Sequence, residues 1–257
     1  MRTNLVIAGA GAILRRVGTV IADAVYPPRC LTCPAPTGAP HGLCAACWRD
    51  THFIAGAACA KCGAPLLGEA GPDDLCDRCL GHPPAWDRGR AAIVYGGAGR
   101  RAILAFKHGD RLDAAPALAG WLASAGASLA VEADLIAPVP LHWRRLMRRR
   151  YNQSAVLARH LGRRIGRPVV PDLLRRKRMT VPQERMDFAT RRENQRGAIA
   201  VTPRQARRLA GKAVLLIDDV MTSGATLGAC AEACREAGAA RIDVLVLARV
   251  AFGADDN

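Results

Sequence analysis

Two adjacent carboxylates followed by a loop of small residues form the clearest chemical pattern in this sequence. The stretch VLLIDDVMTSGAT, residues 214–226, runs from four apolar residues into Asp218 and Asp219 and then into hydroxyl residues and one glycine. A strand, a small-residue loop and a helix form a cradle for phosphate, because the helix N-terminus presents unpaired N–H groups. The lysine of a Walker loop is missing. The acids fit a ligand with adjacent hydroxyl groups, as in ribose; an ordinary strand–helix turn is the alternative.

Eight of the ten cysteines form four Cys-x2-Cys pairs in the first third of the chain. Two such pairs complete a tetrahedral site of four thiolates, which suits structural zinc. A disulfide framework requires an oxidising compartment, for which the sequence gives no support, and a redox motif needs only one pair. The sequence therefore predicts two structural zinc ions, with sequential and interleaved pairing both open. The predicted ligands are Cys30, Cys33, Cys44, Cys47, Cys59, Cys62, Cys76 and Cys79.

The positive charge of the chain is concentrated in one stretch. The 257 residues carry a formal net charge of +15, and residues 141–196 hold 17 Lys/Arg against four Asp/Glu. This excess predicts a polyanionic ligand such as a phosphate, pyrophosphate or nucleic acid, and a solvated basic surface is the alternative. No run of about 18 apolar residues occurs, so we expect no membrane insertion. The N-terminal stretch reads as a helix and not as a secretion signal, which predicts a cytoplasmic protein.

Strands and helices alternate in the larger part of the chain, which predicts an α/β fold with a mostly parallel sheet flanked by helices. The predicted strands cover 91–95, 134–138, 198–201, 213–217 and 242–250, and the predicted helices cover 99–108, 113–129, 152–166 and 226–238. Cys230 and Cys234, in the last of these helices, are predicted to be small buried residues. The basic segment 179–197 has no clear period and is predicted to be a long functional loop. The predicted domains are an N-terminal helix (1–26), a cysteine module (27–85) and an α/β domain (86–257).

The stretch around the two acids resembles the phosphoribosyl pyrophosphate motif of type I phosphoribosyltransferases. From about Val20 onward, the chain resembles the competence-protein ComF family, in which a double zinc ribbon precedes a phosphoribosyltransferase domain. Arg150 departs from the family, since it stands where a glycine is usual. The resemblance rests on VYPPRCLTC (25–33), LAFKHGD (104–110), APVPLHWRRLMRRRYNQSAVLA (137–158) and RRKRMTVPQERMDFATRRENQRGAI (175–199).

The resemblance implies a type I phosphoribosyltransferase fold after a small double zinc-ribbon module, and it implies roles for individual residues. Asp218 and Asp219 are implied to be catalytic residues that hold the ribose hydroxyls, and Lys107 and Arg145 are candidates for contacts with pyrophosphate. The implied phosphate loop consists of Val220, Met221, Thr222, Ser223, Gly224, Ala225 and Thr226, and the implied pyrophosphate loop of Pro138, Val139, Pro140, Leu141 and His142. The segment with Thr180, Gln183, Arg192 and Asn194 resembles a flexible loop that closes over the reacting centre.

The activity implied by the resemblance is pentosyl transfer from phosphoribosyl pyrophosphate, with Mg²⁺ bound to the substrate. The acceptor stays open, because the sequence shows no recognisable base-binding segment. The implied partners are competence and DNA-processing proteins. The second hypothesis is a non-catalytic protein that binds single-stranded DNA and has a repurposed sugar-phosphate site, because charge and aromatic surface occur together near residue 147. The residues concerned are Trp143, Arg144, Arg145, Arg148, Arg149, Arg150 and Tyr151.

Overall fold

The computed structural model describes residues 27–108, 111–141, 151–177 and 197–250. These residues form two compact units that divide between Arg49 and Asp50. The first unit contains four of the paired cysteines and helix α1 (Ala45–Arg49). The second unit contains the other four paired cysteines and the α/β part of the chain. The predicted domain boundaries at residues 26 and 85 stay predictions.

A four-stranded parallel sheet forms the centre of the second unit, in the order β1-β6-β5-β2. Its inner strands, β5 and β6, are buried along most of their length, because helices cover both faces of such a sheet. The predicted parallel sheet is confirmed. A separate antiparallel pair is formed by β3 and β4. The strands are β1 (Arg88–Val94), β2 (Leu135–Pro138), β3 (Leu174–Arg176), β4 (Ile199–Val201), β5 (Ala213–Met221) and β6 (Arg241–Arg249).

The predicted helices 99–108, 152–166 and 226–238 match helices of the second unit to within two residues at each end. Asn152 caps α6, since its Oδ1 accepts from Ser154 N at 3.0 Å, and Gly166 ends the helix with a left-handed φ of 68°. Cys230 and Cys234 are fully buried in α8, which confirms their prediction. The helices are α2 (Asp77–Gly81), α3 (Gly97–His108), α4 (Ala115–Ala125), α5 (Ala127–Glu132), α6 (Gln153–Ile165), α7 (Pro203–Leu209) and α8 (Ala225–Glu236).

Three features differ from the sequence prediction. The segment 113–129 is not one helix but breaks at Gly126, where an added Cβ would lie 2.4 Å from Leu245 Cδ2 of β6. Strand β5 continues past Ile217 to Met221, because its backbone still pairs with β6 there. The short elements α1, α2, β3 and α7 were not predicted; α7 buries only Leu209, so its sequence has little apolar periodicity. Among the described residues, none of the helices has the length and apolar character needed to cross a membrane.

Candidate functional site

The eight paired cysteines form two clusters of four thiol groups. Within each cluster all Sγ atoms lie within 4.8 Å of one another. Cys33 Sγ lies 3.7 Å from Cys44 Sγ, and Cys62 Sγ lies 3.7 Å from Cys76 Sγ. Four sulfurs bonded to one zinc at about 2.3 Å stand about 3.8 Å apart, so both clusters fit a structural zinc ion. The pairing is sequential, with Cys30, Cys33, Cys44 and Cys47 in the first cluster and Cys59, Cys62, Cys76 and Cys79 in the second.

The two clusters are built from one repeated local pattern. Each begins with a Cys-x2-Cys-x-Ala-Pro turn, and helices α1 and α2 start directly after the third cysteine of their clusters. Cys30 N donates to Ala35 O, and Cys59 N donates to Ala64 O, each at 2.8 Å. Sequence reasoning missed this repeat, although the recurring Cys-x2-Cys-x-Ala-Pro pattern was available to show it.

The structure brings Asp218, Asp219 and Lys107 together near the end of β5. Lys107 Nζ lies 2.9 Å from Asp219 Oδ1, and the two side chains are only 17% and 13% exposed. Ser154 Oγ donates to Asp218 Oδ1 at 2.9 Å, and the backbone N of Asp219 donates to the same oxygen at 2.9 Å. Two carboxylates and one ammonium group therefore share a site with little access to water, which strengthens their interaction.

The loop after β5 has the geometry of an anion cradle. Gly224 has φ 78° and directly precedes α8, so a side chain there would be strained, and its Cβ would lie 2.8 Å from Trp86 Cη2. Ser223 Oγ accepts from Ala225 N at 3.3 Å. Asp218 and residues 220–227 border one small cavity of about 30 Å³. The predicted phosphate loop and Asp218, the first of the two carboxylates, therefore border the same space, next to the positive end of the α8 dipole.

Lys107 is held in place by the residues that precede and begin α6. Tyr151 Oη donates to Phe106 O at 2.8 Å, and Gln153 Nε2 donates to Lys107 O at 3.4 Å. Both acceptors are carbonyl groups in the last turn of α3, where helical carbonyls lack partners inside the helix. These contacts fix the end of α3 and with it the position from which the ammonium group reaches Asp219.

The next two contacts tie the start of α6 to the rest of the site. Asn152 Nδ2 donates to Val139 O at 3.0 Å, and Ser154 reaches Asp218 as described above. The segment 151–154 therefore connects the end of α3, the loop after β2 and the carboxylates. Sequence reasoning missed the roles of Asn152 and Ser154, although both stand in the quoted YNQS stretch and hydroxyl and amide residues are typical of helix starts.

The predicted pyrophosphate loop is described only in part. Val139 and Pro140 are buried and Leu141 is half-buried, and Val139 N donates to Ile217 O at 2.9 Å, so the loop begins beside β5. Arg176 Nε, which was not predicted, donates to Pro140 O at 3.1 Å. The predicted residues His142, Trp143, Arg144, Arg145, Arg148, Arg149, Arg150, Thr180, Gln183, Arg192 and Asn194 lie outside the described residues.

The surroundings of Asp218 raise its pKa to about 7. Burial is the main cause, because it disfavours the charged form, and the neighbouring charge of Asp219 acts in the same direction. The hydrogen bonds from Ser154 and from the Asp219 backbone, and the charge of Lys107, act in the opposite direction. The carboxyl group of Asp218 therefore changes its charge near neutral pH. The affinity for a ligand that binds the carboxylate form would change over the same pH range.

Comparison with known proteins identifies the family. Residues 21–80 match the double zinc ribbon domain, and residues 152–256 match the phosphoribosyl transferase domain. DNA utilization protein YhgH of Salmonella typhimurium is 31% identical over 232 residues, which cover 87% of this chain and 97% of that protein. Competence protein F of Haemophilus influenzae is 30% identical over 227 residues, with coverages of 86% and 96%. The chain belongs to the ComF family. The resemblance inferred from its motifs is confirmed, as is a double zinc ribbon followed by a phosphoribosyltransferase fold.

Solved structures give a more distant likeness to this ComF-family chain. An allosteric regulatory enzyme of purine biosynthesis is 22% identical with a TM-score of 0.38, and the match covers 56% of this chain. The matched part spans only 30% of that enzyme. A hypoxanthine phosphoribosyltransferase of Staphylococcus aureus is 15% identical with a TM-score of 0.32, over 55% of this chain and 69% of that enzyme.

Proposed function

We propose that this ComF-family protein binds phosphoribosyl pyrophosphate together with Mg²⁺. The observation that supports this best is that Asp218, next to Asp219, shares one cavity with the loop of left-handed Gly224 and the start of α8. A helix N-terminus stabilises a phosphate group, and a pair of carboxylates accepts hydrogen bonds from two neighbouring hydroxyls. A ribose 5-phosphate offers both groups on one molecule.

The pyrophosphate end of the ligand would lie toward the loop after β2. This loop begins beside β5, and the ammonium group of Lys107 is close by, paired with Asp219. An arriving pyrophosphate competes for Lys107, because it carries more negative charge than a single carboxylate. Asp219 would then become available to the ribose hydroxyls. We therefore propose that Lys107 exchanges Asp219 for pyrophosphate when the ligand binds.

We propose pentosyl transfer as the reaction at this site. The C1–O bond to pyrophosphate breaks, a nitrogen atom of the acceptor forms the new C1–N bond, and the nitrogen releases a proton. Positive charge builds up on the sugar in between, and the carboxylates of Asp218 and Asp219 stabilise it while the phosphate loop fixes the position of C1. Bound Mg²⁺ supplies positive charge to the leaving pyrophosphate. No nucleophilic side chain is needed for this reaction.

Relatives named DNA utilization protein and competence protein suggest where such a site is used. We propose that the protein takes part in the handling of imported DNA during competence, in the cytoplasm and with DNA-processing proteins as partners. A second candidate function is binding of single-stranded DNA without catalysis. It is favoured by exposed arginines on α6, Arg159, Arg163 and Arg164, which follow the basic stretch 144–150 in the chain.

Titration calorimetry of the zinc-loaded protein tests the proposal. We expect phosphoribosyl pyrophosphate to bind with a Kd in the micromolar range when Mg²⁺ is present, and much more weakly without it, because the metal offsets the charge between pyrophosphate and the two carboxylates. Single-stranded DNA is titrated in parallel at two salt concentrations. DNA binding that weakens steeply with salt, together with no heat from phosphoribosyl pyrophosphate, would reject the first proposal and favour the second.

Binding of phosphoribosyl pyrophosphate is expected to strengthen by about tenfold between pH 6 and pH 8, because a group with a pKa near 7 goes from mostly protonated to mostly ionised in this range. Only the ionised Asp218 accepts hydrogen bonds at both oxygens. Calorimetry at several pH values measures the effect. The Asp218→Asn variant has no ionisable group at this position, so the pH dependence of its affinity comes from the ionisation of the ligand. This contribution is subtracted from the pH dependence of the wild type.

Ser154→Ala is the matched variant for this pH dependence. Its hydroxyl group lowers the pKa of Asp218, so its removal is expected to shift the rise in affinity to higher pH. The same raised pKa implies that folding stability falls as pH rises from about 4 to about 7, since the folded state holds a proton that the unfolded state releases. A pH profile identical in the wild type, Ser154→Ala and Asp218→Asn would show that Asp218 does not control binding.

A further inference from the structure

Arg249, the last residue of β6, is a buried cation behind the loop after β5. It is only 2% exposed. Its Nη1 atom donates to Met221 O at 2.9 Å, to Thr222 O at 2.5 Å and to Val250 O at 3.2 Å. Two of these three carbonyl groups belong to the segment that carries the proposed 5′-phosphate site. Arg249 therefore holds the backbone of this segment in place through hydrogen bonds to its carbonyl groups.

The same arginine borders the second zinc ribbon. One cavity of about 60 Å³ is lined by Cys62 and Cys79 of the second cysteine cluster, by Arg249 and by Met221 and Gly224 of the loop. Metal-binding thiols, a buried guanidinium and the phosphate loop thus meet around one small space. Because these groups line the same cavity, the presence or absence of zinc in the cluster can affect the conformation of the loop.

Two further residues connect the cysteine turns of this cluster to the loop. Trp86 Nε1 donates to Lys61 O, within the first turn, at 2.6 Å, and its ring lies against Gly224. Arg78, within the second turn, points its Nη2 atom at Ser223 O, 3.5 Å away. Both cysteine turns of the second ribbon are therefore connected to the loop, the first through Trp86 and the second through Arg78.

The buried positive charge of Arg249 needs negative charge nearby. A guanidinium group stays protonated in proteins, and its transfer out of water costs several kcal/mol unless negative charge is nearby. Four thiolates outweigh the two positive charges of zinc, so a loaded site with four cysteine ligands is a net anion. Cys62 and Cys79 place such an anion at the cavity that Arg249 also lines.

We propose that Arg249 is a positioning residue of the phosphate loop and that the second cysteine cluster, with its zinc, is the counter-ion of this arginine. The second ribbon is then part of the sugar-phosphate site, and loss of its zinc loosens the loop. The consequence for ligand binding rests on the function proposed above. The coupling between cluster and loop does not rest on that function, because it involves only residues of the protein and zinc and requires no ligand.

Hydrogen–deuterium exchange of the zinc-loaded variants Arg249→Met and Arg249→Lys tests the coupling without any ligand. In Arg249→Met we expect the amides of residues 221–226 to exchange at least about tenfold faster than in the wild type, since charged hydrogen bonds to the loop carbonyls are lost. One of the two zinc ions should pass more readily to a chromophoric chelator, because its cluster has lost its counter-ion. Arg249→Lys keeps the charge and should restore most of both properties.

Arg208→Ala is the matched control, because Arg208 is an exposed arginine at the other end of the sheet, beside Asp134 and Leu135. It should leave loop exchange and zinc retention unchanged. Unchanged exchange of residues 221–226 and unchanged zinc retention in Arg249→Met would overturn the proposal. If Arg249→Met does not fold, Arg78→Ala replaces it, with a smaller acceleration of about two- to threefold expected from one weak hydrogen bond.

A pair of cluster variants separates the two zinc sites. Cys62→Ser/Cys79→Ser removes the second zinc and is expected to accelerate exchange of residues 221–226, whereas Cys33→Ser/Cys44→Ser acts on the other compact unit and should not. Equal loop exchange in the two variants would contradict the proposal. Calorimetry with phosphoribosyl pyrophosphate follows on the same samples. A wild type that fails to bind it refutes the proposed function, while the exchange data still decide whether Arg249 and the cluster control the loop.

Discussion

Removal of both zinc ions with a strong chelator is expected to unfold the first compact unit and to destabilise the second. In the described part of the first unit, the buried apolar residues are Cys30, Leu31 and Cys47, so two of the three are metal ligands. A segment with so little core depends on its metal, and zinc contributes about 10–16 kcal/mol to the folding of comparable small domains. Circular dichroism and thermal melting before and after chelation measure the loss.

Thiol titration provides the control for zinc removal. Eight thiols should become reactive after chelation, while Cys230 and Cys234 stay protected, because burial raises the pKa of both and that of Cys234 to about 12. Zinc added back under reducing conditions should restore the spectrum. An unchanged spectrum and melting temperature in protein shown to be free of zinc would contradict a structural role for the metal.

The second unit should respond differently from the first, because its cluster is fastened to the sheet. Gly89 N of β1 donates to Ala60 O between two cysteines of the cluster at 2.8 Å, and a Cβ at Gly89 would lie only 2.2 Å from Lys61 O. The sheet has its own extensive core and should survive with a lower melting temperature. One thermal transition that remains in the chelated protein, at a lower temperature than in the zinc-loaded protein, would reflect this difference.

Local patterns explain how much of this fold could be predicted from the sequence. The run Val214–Ile217 is apolar throughout because both faces of a parallel strand are covered, and this pattern identified β5. The continuation of β5 to Met221 has no such pattern, since backbone pairing does not depend on side-chain polarity. The break at Gly126 depends on Leu245 of β6, which is distant in the chain.

In the candidate site, too, the sequence predicts what is contiguous in the chain and not the contacts between distant residues. Asp218, Asp219 and the glycine-containing loop are contiguous, so one stretch of sequence was enough to suggest them. Ser154 reaches Asp218 from 64 residues away, and only the folded chain shows that they meet. Arg249 ends an apolar strand and would be expected to face solvent, yet the structure buries it behind the loop. Long-range contacts of single polar residues leave no periodic signal in one sequence.

Replacement of both carboxylates by amides, Asp218→Asn/Asp219→Asn, is expected to weaken binding of phosphoribosyl pyrophosphate with Mg²⁺ by at least about 100-fold. Each carboxylate accepts charged hydrogen bonds, which contribute about 1.5–3 kcal/mol apiece, and an amide replaces neither the charge nor the second acceptor oxygen. Titration calorimetry measures the loss. Asp113→Asn is the matched control, because Asp113 is an exposed carboxylate paired with Arg111 and should not affect binding.

The stability of the single variant Asp218→Asn separates a binding role from a structural one. Burial and the charge of Asp219 disfavour the ionised form of Asp218, so a neutral side chain at this position should raise the melting temperature at pH 8. At pH 5 the wild type already holds the proton, and the gain should disappear. A residue kept for stability would show the opposite, with a loss at pH 8. A more stable variant that binds the ligand more weakly would mean that the carboxylate pair is maintained at a cost in stability, as expected for a functional site.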